Sequence, residues 1–375
     1  MPFFRHGLGA AELDSVAEVL AGPVLTTGET VGRFEQAFAD YLGRRQAVAV
    51  SSATAALQLS LTALGIGPGD EVITTPMTYV ATATAILQAG ARPVFVDVEP
   101  DTANLDPAGI ERALTPRTKA VIPVHLYGQM CDMVSIHGLA ARHGLAVIED
   151  AAHCVEGSID EIRPGDLSRT ACFSFYATKS LACGEGGAVV TDDDDLASRL
   201  RLLRLHGITT TAADRMRDGY GHWDMVAMGW KYNMDNIHAA LLLPQLAGLD
   251  ERHRKRSTIA DRYVEAFSGV EGLSWPVSRP GTVNARHLFP IWVASGRRDA
   301  VVRDLRDAGI EVVVNYRAIH LLSYLADLLD HRPGDFPVAE DIGDRCISLP
   351  LYPGMPPQHV QQVVSSVSAV VSQPC

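Results

Sequence analysis

Seven short β-rich runs, alternating with helical segments, constrain this chain more than any other feature. They cover residues 47–50, 71–74, 93–97, 120–124, 145–149, 171–175 and 188–191. Helical patterns follow the earlier ones, at 53–64, 80–89 and 134–143. Strands that alternate with helices form a mostly parallel sheet, because each crossover helix must cover apolar strand surface. The expected class is α/β, with a large domain on a seven-stranded, mostly parallel sheet. Gly65-Ile66-Gly67-Pro68-Gly69-Asp70 stops the first of these helices. From residue 234 to about 264 the pattern is one long helical stretch. A strand at 288–293, a helix at 297–308 and a strand at 309–314 then predict a smaller α/β C-terminal domain. The last helix opens after Gly354-Met355-Pro356-Pro357, where proline suits the first turn. The boundary falls near residue 245, giving domains 1–245 and 246–375, with the N-terminal segment contributing to the site.

Composition narrows the chemistry. The formal charge of −12 disfavours non-specific association with nucleic acid or an anionic membrane. The most apolar stretch, 47–67, is interrupted by Ser51, Ser52, Thr54, Gln58, Ser60 and Thr62, so no membrane span is expected. Met1-Pro2-Phe3-Phe4-Arg5-His6-Gly7 lacks the charged-then-apolar pattern of a signal peptide. Cys131, Cys154, Cys172, Cys183, Cys346 and Cys375 show neither a C-x-x-C pair nor zinc spacing. Free thiols, no metal and a cytoplasmic location are the expectation. The acidic run 192–195 reads as a helix start. The run 251–256 reads as a solvated helix face, with a nucleotide diphosphate as its alternative partner.

The chemistry-bearing residues stand at the ends of predicted strands. Ser51-Ser52-Ala53-Thr54 joins the first strand to a helix, where free N–H groups bind phosphate. Asp150 follows the fifth strand in Glu149-Asp150-Ala151-Ala152-His153. There it can face a pyridinium nitrogen and keep it protonated. Glu149 should point to the opposite face. His153, on the same turn, can hydrogen-bond a ring hydroxyl. Ser174 ends the sixth strand, and Lys179 follows in a turn running into Gly184-Glu185-Gly186-Gly187. A serine can hold a phosphate there and a desolvated lysine can capture an aldehyde. Alone, these residues read as a helix cap, a loop carboxylate, a structural histidine and a surface charge. Together and in this order, they are the parts that pyridoxal phosphate (PLP) requires.

These segments resemble the DegT/DnrJ/StrS family of sugar aminotransferases, which has the PLP fold-type I (aspartate aminotransferase-like) architecture. The resemblance runs over nearly the whole chain. It includes Ser51 to Leu57, Gly65 to Ile73, Pro93 to Asp97, Val121 to Gly128, Glu149 to His153, Phe173 to Lys179, Gly184 to Gly187, Gly229 to Met234, Ala239-Ala240 and Ser348 to Pro350. It implies that Lys179 holds PLP covalently, Asp150 pairs with the pyridine nitrogen and His153 sits by the ring hydroxyl. It further implies that Ala53, Thr54 and Ser174 hold the phosphate and Tyr79 stacks on the ring. The family commonly has Asn-Tyr-Arg where this chain has Lys231-Tyr232-Asn233. That segment reaches the neighbouring subunit's phosphate, which gives Lys231 or Asn233 this role and implies a homodimer with shared sites. Thr26, Thr27 and Gly28, and Tyr316 to His320, match segments bordering the active site, which implies substrate contact for Thr26, Thr27 and Tyr316 and, for His320, either sugar contact or a structural role. The implied activity moves an amino group from L-glutamate, or glutamine, to a nucleotide-linked keto-sugar, with pyridoxamine phosphate (PMP) between the two halves. An aminocyclitol aminotransferase would use the same residues. Lys179 argues against the family's PMP-dependent sugar dehydratases, which carry histidine there. Lys179 and Asp150 together argue against a non-catalytic member. Gly7-Leu8-Gly9 follows no strand and lacks the third glycine of a dinucleotide fingerprint.

Overall fold

In the computed structural model, which describes residues 1–210 and 222–372, the predicted runs form one sheet. Its strands are β1 (Gln46–Val50), β2 (Glu71–Thr74), β3 (Arg92–Phe95), β4 (Thr118–Val121), β5 (Ala146–Asp150), β7 (Thr170–Ser174) and β8 (Gly187–Thr191). The short β6 (Ser158–Ile159) pairs elsewhere, with Thr282–Val283. The order across the sheet is β1-β8-β7-β5-β4-β2-β3. Neighbours from β7 to β3 are parallel, whereas β8 is antiparallel to both β7 and β1. Hence β1 runs with β5 and β7, and β8 alone runs against them.

Side-chain alternation explains why the sheet is covered on both faces. Val48, Val50, Ile148, Cys172 and Val189 enter one apolar layer, with α3 (Ala53–Ala63) and α7 (Asp194–Leu203). Ala47, Ala49, Ala171, Phe173, Ala188 and Val190 enter the other, against α2 (Glu29–Leu42) and the helix Asn236–Ala247. In that second layer Phe38 meets Phe173 and Phe175 edge-on, at 5.1 and 5.4 Å between centroids.

Several boundaries differ from the sequence reading. Asp150 is the last residue of β5, not the first after it, because its backbone pairs with the 123–125 segment. The long helical stretch divides at Gly248 into Asn236–Ala247 and Leu249–Phe267; Pro244, which lacks a backbone donor, lies in the turn before the break. The predicted strand 309–314 does not form. Its Glu311 N–H is taken by the Met1 carbonyl, and only Val313 bridges to Ser348. The strand Cys346–Leu349 pairs with Phe289–Trp292 instead. The run 251–256 is not a wholly solvated face: Arg256 is buried on Glu156, and Arg252 meets Glu12 at 3.2 Å. Asp193 caps α7 as the acidic run predicts, and the last helix starts at Pro357. Cys375 lies outside the described residues; the other cysteines are buried and unbonded. Among the described residues, no helix is long and apolar enough to cross a membrane.

Gly187 is the point where three chain segments converge. A Cβ there would come within 2.5 Å of the Ser52 carbonyl carbon, 2.7 Å of the Ala53 nitrogen and 2.7 Å of the Phe173 oxygen. Gly187→Ala should therefore lower the melting temperature by roughly 1–4 °C, since overpacking costs about 1–3 kcal/mol even against movable side chains. Gly32, in α2 with open space around it, is the control. Gly32→Ala should stabilise by about 0.5–1 kcal/mol. Thermal unfolding of both variants checks the pair; equal melting temperatures would contradict the packing argument.

Candidate active site

Because β1, β5 and β7 run the same way, Ser52, Asp150 and Ser174 come to one edge of the sheet, where β8 begins. All three line a cavity of about 530 Å³, together with Ala53, Thr54, Tyr79, His153, Lys179, His287 and Tyr316.

One end is built for an anion. Ser52 caps α3, its Oγ accepting the Ala55 N–H at 3.1 Å. The Ala53 and Thr54 N–H groups stand in the first turn, where no intrahelical acceptor exists. Ser174 Oγ accepts the Tyr176 N–H at 3.3 Å, which leaves its own hydrogen free to donate.

The other end holds a buried carboxylate. Asp150 Oδ2 accepts from Thr82 Oγ1 at 2.8 Å, and Oδ1 accepts the Ala152 N–H at 3.2 Å. Burial raises its pKa above the ordinary carboxylate value, against those donors and the positive charges of Lys179 and His125. Glu149 takes the opposite face, as alternation predicts, with Oε2 2.6 Å from His125 Nε2.

Lys179 has its amine pushed down to about 7 by burial, with Asp150 pulling the other way. Its Nζ lies 3.4 Å from His287 Nε2. His153 Nδ1 accepts the Tyr127 N–H at 3.2 Å, so the proton of its neutral ring is on Nε2, 3.3 Å from the Tyr316 hydroxyl. Burial and the charge of Lys179 hold both histidines well below the usual imidazole value. The two rings stand 4.5 Å apart.

The remaining predicted residues divide. Tyr79 lines the cavity, is 60% exposed and faces Tyr316 at 5.9 Å. Lys231, Asn233 and Thr27 lie outside this chain's own cavity as one cluster. There Lys231 Nζ donates to Asn233 Oδ1 at 2.7 Å, and Asn233 Nδ2 to Thr27 Oγ1 at 2.6 Å. Thr26 is exposed beside them, its carbonyl 3.3 Å from the Asn236 nitrogen. His320, read equally as structural or as a sugar contact, is fully buried, with Nε2 3.0 Å from Glu340 and its ring against Phe336, which favours the structural reading. Sequence reasoning missed His287 and Thr82. Thr82 had a local signal, lying one helical turn from Thr78, whereas the 108-residue separation of His287 from Lys179 left none.

A buried carboxylate, a low-pKa amine and an anion cradle on one cavity fit a flat aldehyde cofactor that carries a phosphate and a ring nitrogen able to take a proton. Residues 7–368 match the DegT/DnrJ/EryC1/StrS aminotransferase family. The chain belongs to that family. It is a PLP-dependent aminotransferase of the sugar aminotransferase group. SpsC of Bacillus subtilis, a spore coat polysaccharide biosynthesis protein, is 42% identical over 99% of this chain and 97% of its own. DesV of S. venezuelae superposes with a TM-score of 0.91 at 37% identity, over 97% of this chain and 95% of its own. Spr1654 of Streptococcus pneumoniae, assigned as a sugar aminotransferase, reaches 0.94 in its PMP form at 29% identity, over 99% of both chains. A PLP form of Spr1654 is equally similar in sequence.

The Lys179 amine sets a pH dependence for this aminotransferase. Below pH 7 its lone pair is blocked by a proton. The rate of PLP capture by apoprotein should rise about tenfold per pH unit up to about 7 and then level. Stopped-flow absorbance in the cofactor's visible band reads this; a rate still rising towards pH 10 would mean an ordinary lysine.

Proposed function

We propose that this aminotransferase moves an amino group from L-glutamate, with glutamine as the second candidate, to a nucleotide-linked keto-sugar. The observation that carries the reading is the Lys179 amine, lowered to about 7, in one cavity with the buried Asp150 carboxylate. The polysaccharide role in the name of SpsC supports a sugar acceptor.

When bound, PLP supplies an electron sink for negative charge developing at the donor Cα. The residues of the chain do the rest. Ala53, Thr54 and Ser174 fix the phosphate and so set the depth of the ring. Asp150 holds a proton on the ring nitrogen by opposite charge, and Thr82 and Ala152 keep its two oxygens aimed. His153 donates from Nε2 towards the ring hydroxyl, and Tyr79 covers the ring face. Lys179 Nζ would take the proton from the donor Cα as base and give it back as acid. An amine near pH 7 suits both directions of that transfer.

The protein acts as a homodimer with shared sites, in the cytoplasm. The Lys231, Asn233 and Thr27 cluster supports sharing, because it lies outside its own cavity and carries an exposed ammonium suited to a dianionic phosphate. Exposed Tyr79 and Tyr176 line that same cavity, offering apolar surface for a second copy.

Adding donor to the PLP-loaded protein should bleach the visible band with L-glutamate or L-glutamine, and a nucleotide keto-sugar should restore it where keto-cyclitols do not. A band that neither donor changes would end this reading. Lys179→Ala should still bind cofactor but lose turnover by a factor of about 10⁴ or more. Mixing inactive Lys179→Ala and Lys231→Ala subunits should restore activity through hybrid dimers; no rescue in subunits shown to exchange would refute the shared site.

A further inference from the structure

A second chamber of about 240 Å³ lies against Lys179, outside the phosphate cradle. Thr178, Lys179 and His287 line both chambers, so they form the partition between them. The wall of the smaller one carries Arg5, His6, Arg252 and Arg256, and no carboxylate lines it. Two of these charges are already matched: Arg252 meets Glu12 at 3.2 Å and Arg256 is buried on Glu156. Among the described residues, Arg5 has no hydrogen-bond or ion-pair partner.

A second, independent observation points into the same space. Tyr352 is 2% exposed, lines the chamber, and its hydroxyl has no protein hydrogen-bond partner. Buried hydroxyls are seldom left unmatched. Arg5 and Tyr352 both line the chamber, which places a cation without a protein partner and the unmatched donor around the same space. Such a pair calls for an anion.

Size decides which one. Sites for ligands of nucleotide size run to roughly 300–1,000 Å³, and this chamber is smaller. It opens on Lys179, where the amino donor must present its nitrogen. The donor's α-carboxylate stays beside that nitrogen, so the end that can extend into the chamber is the side chain. We propose that the chamber takes the side-chain carboxylate of a dicarboxylic amino donor, with Arg5 as its cation and the Tyr352 hydroxyl as a second hydrogen-bond donor. This rests on the donor reading above, and it assigns glutamate over glutamine.

The test uses PLP-loaded wild type, Arg5→Gln and Arg5→Lys. Decay of the visible band is followed against L-glutamate and L-glutamine concentration. Glutarate, which has no amine to react, is titrated by calorimetry as the probe of binding alone. Arg5→Gln should raise the half-saturating glutamate concentration about tenfold or more, at least tenfold further than it shifts glutamine. Glutarate affinity should fall by a similar factor, and Arg5→Lys should recover part of both. Equal shifts for the two donors, unchanged glutarate binding, or a wild type that prefers glutamine would overturn the assignment. A wild type bleached by neither donor defeats the donor reading itself, whereas glutamate bleaching with an unresponsive Arg5→Gln variant defeats the chamber alone.

Discussion

A carboxylate buried at the end of a β-strand is unfavourable unless a cation meets it. Asp150 is so placed, with Thr82 and the Ala152 N–H as its hydrogen-bond donors. Those donors fix its direction without supplying a charge. The nearest positive groups acting on it are Lys179 and His125, and His125 is turned to Glu149 on the other face. The site is therefore electrostatically unfinished. In the reading proposed above, a protonated ring nitrogen of PLP held there would complete it, and the burial that makes Asp150 costly would make that pairing strong.

The same burial acts on Lys179 with the opposite chemical result. For a carboxylate, desolvation favours the proton; for an amine, it removes it. One cavity thus yields an acid-side group that seeks a cation and an amine free to attack a carbonyl. Two neutral histidines beside that amine, His153 and His287, add polar contacts with no charge of their own. The geometry depends on β8 running against its neighbours. Its first residue, Gly187, lets β1 and β7 approach closely enough for the α3 N-terminus and Ser174 to line one cavity.

Much of this was legible in the sequence because it is local. The alternation of strands with helices predicts a buried, mostly parallel sheet, and the residues ending β1, β5 and β7 announce the site by their positions on strands. Strand ends were placed less well: the backbone of Asp150 pairs with a distant segment, which no local pattern reports. The strand expected at 309–314 failed for a similar reason, since the first residues of the chain occupy its edge. His287 reaches Lys179, and Arg5 the chamber beside it, from far along the chain, so their relevance exists only after folding. His320 looked available as a polar residue in a segment near the site, but its ring is packed on Phe336 and bonded to Glu340. Arg252 and Arg256 show the limit of reading charge runs: positions one helical turn apart face inward to buried partners.

The account turns on the pairing of Asp150 with the ring nitrogen. The most direct measurement is the ¹⁵N NMR shift of ¹⁵N-labelled PLP bound to the protein, followed from pH 6 to 9 (roughly two units above and one below the Lys179 value) in wild type and Asp150→Asn. A nitrogen that stays protonated across this range in wild type, and loses its proton in the variant, is the predicted result. An unprotonated nitrogen in wild type, or the same shift in both proteins, would contradict it.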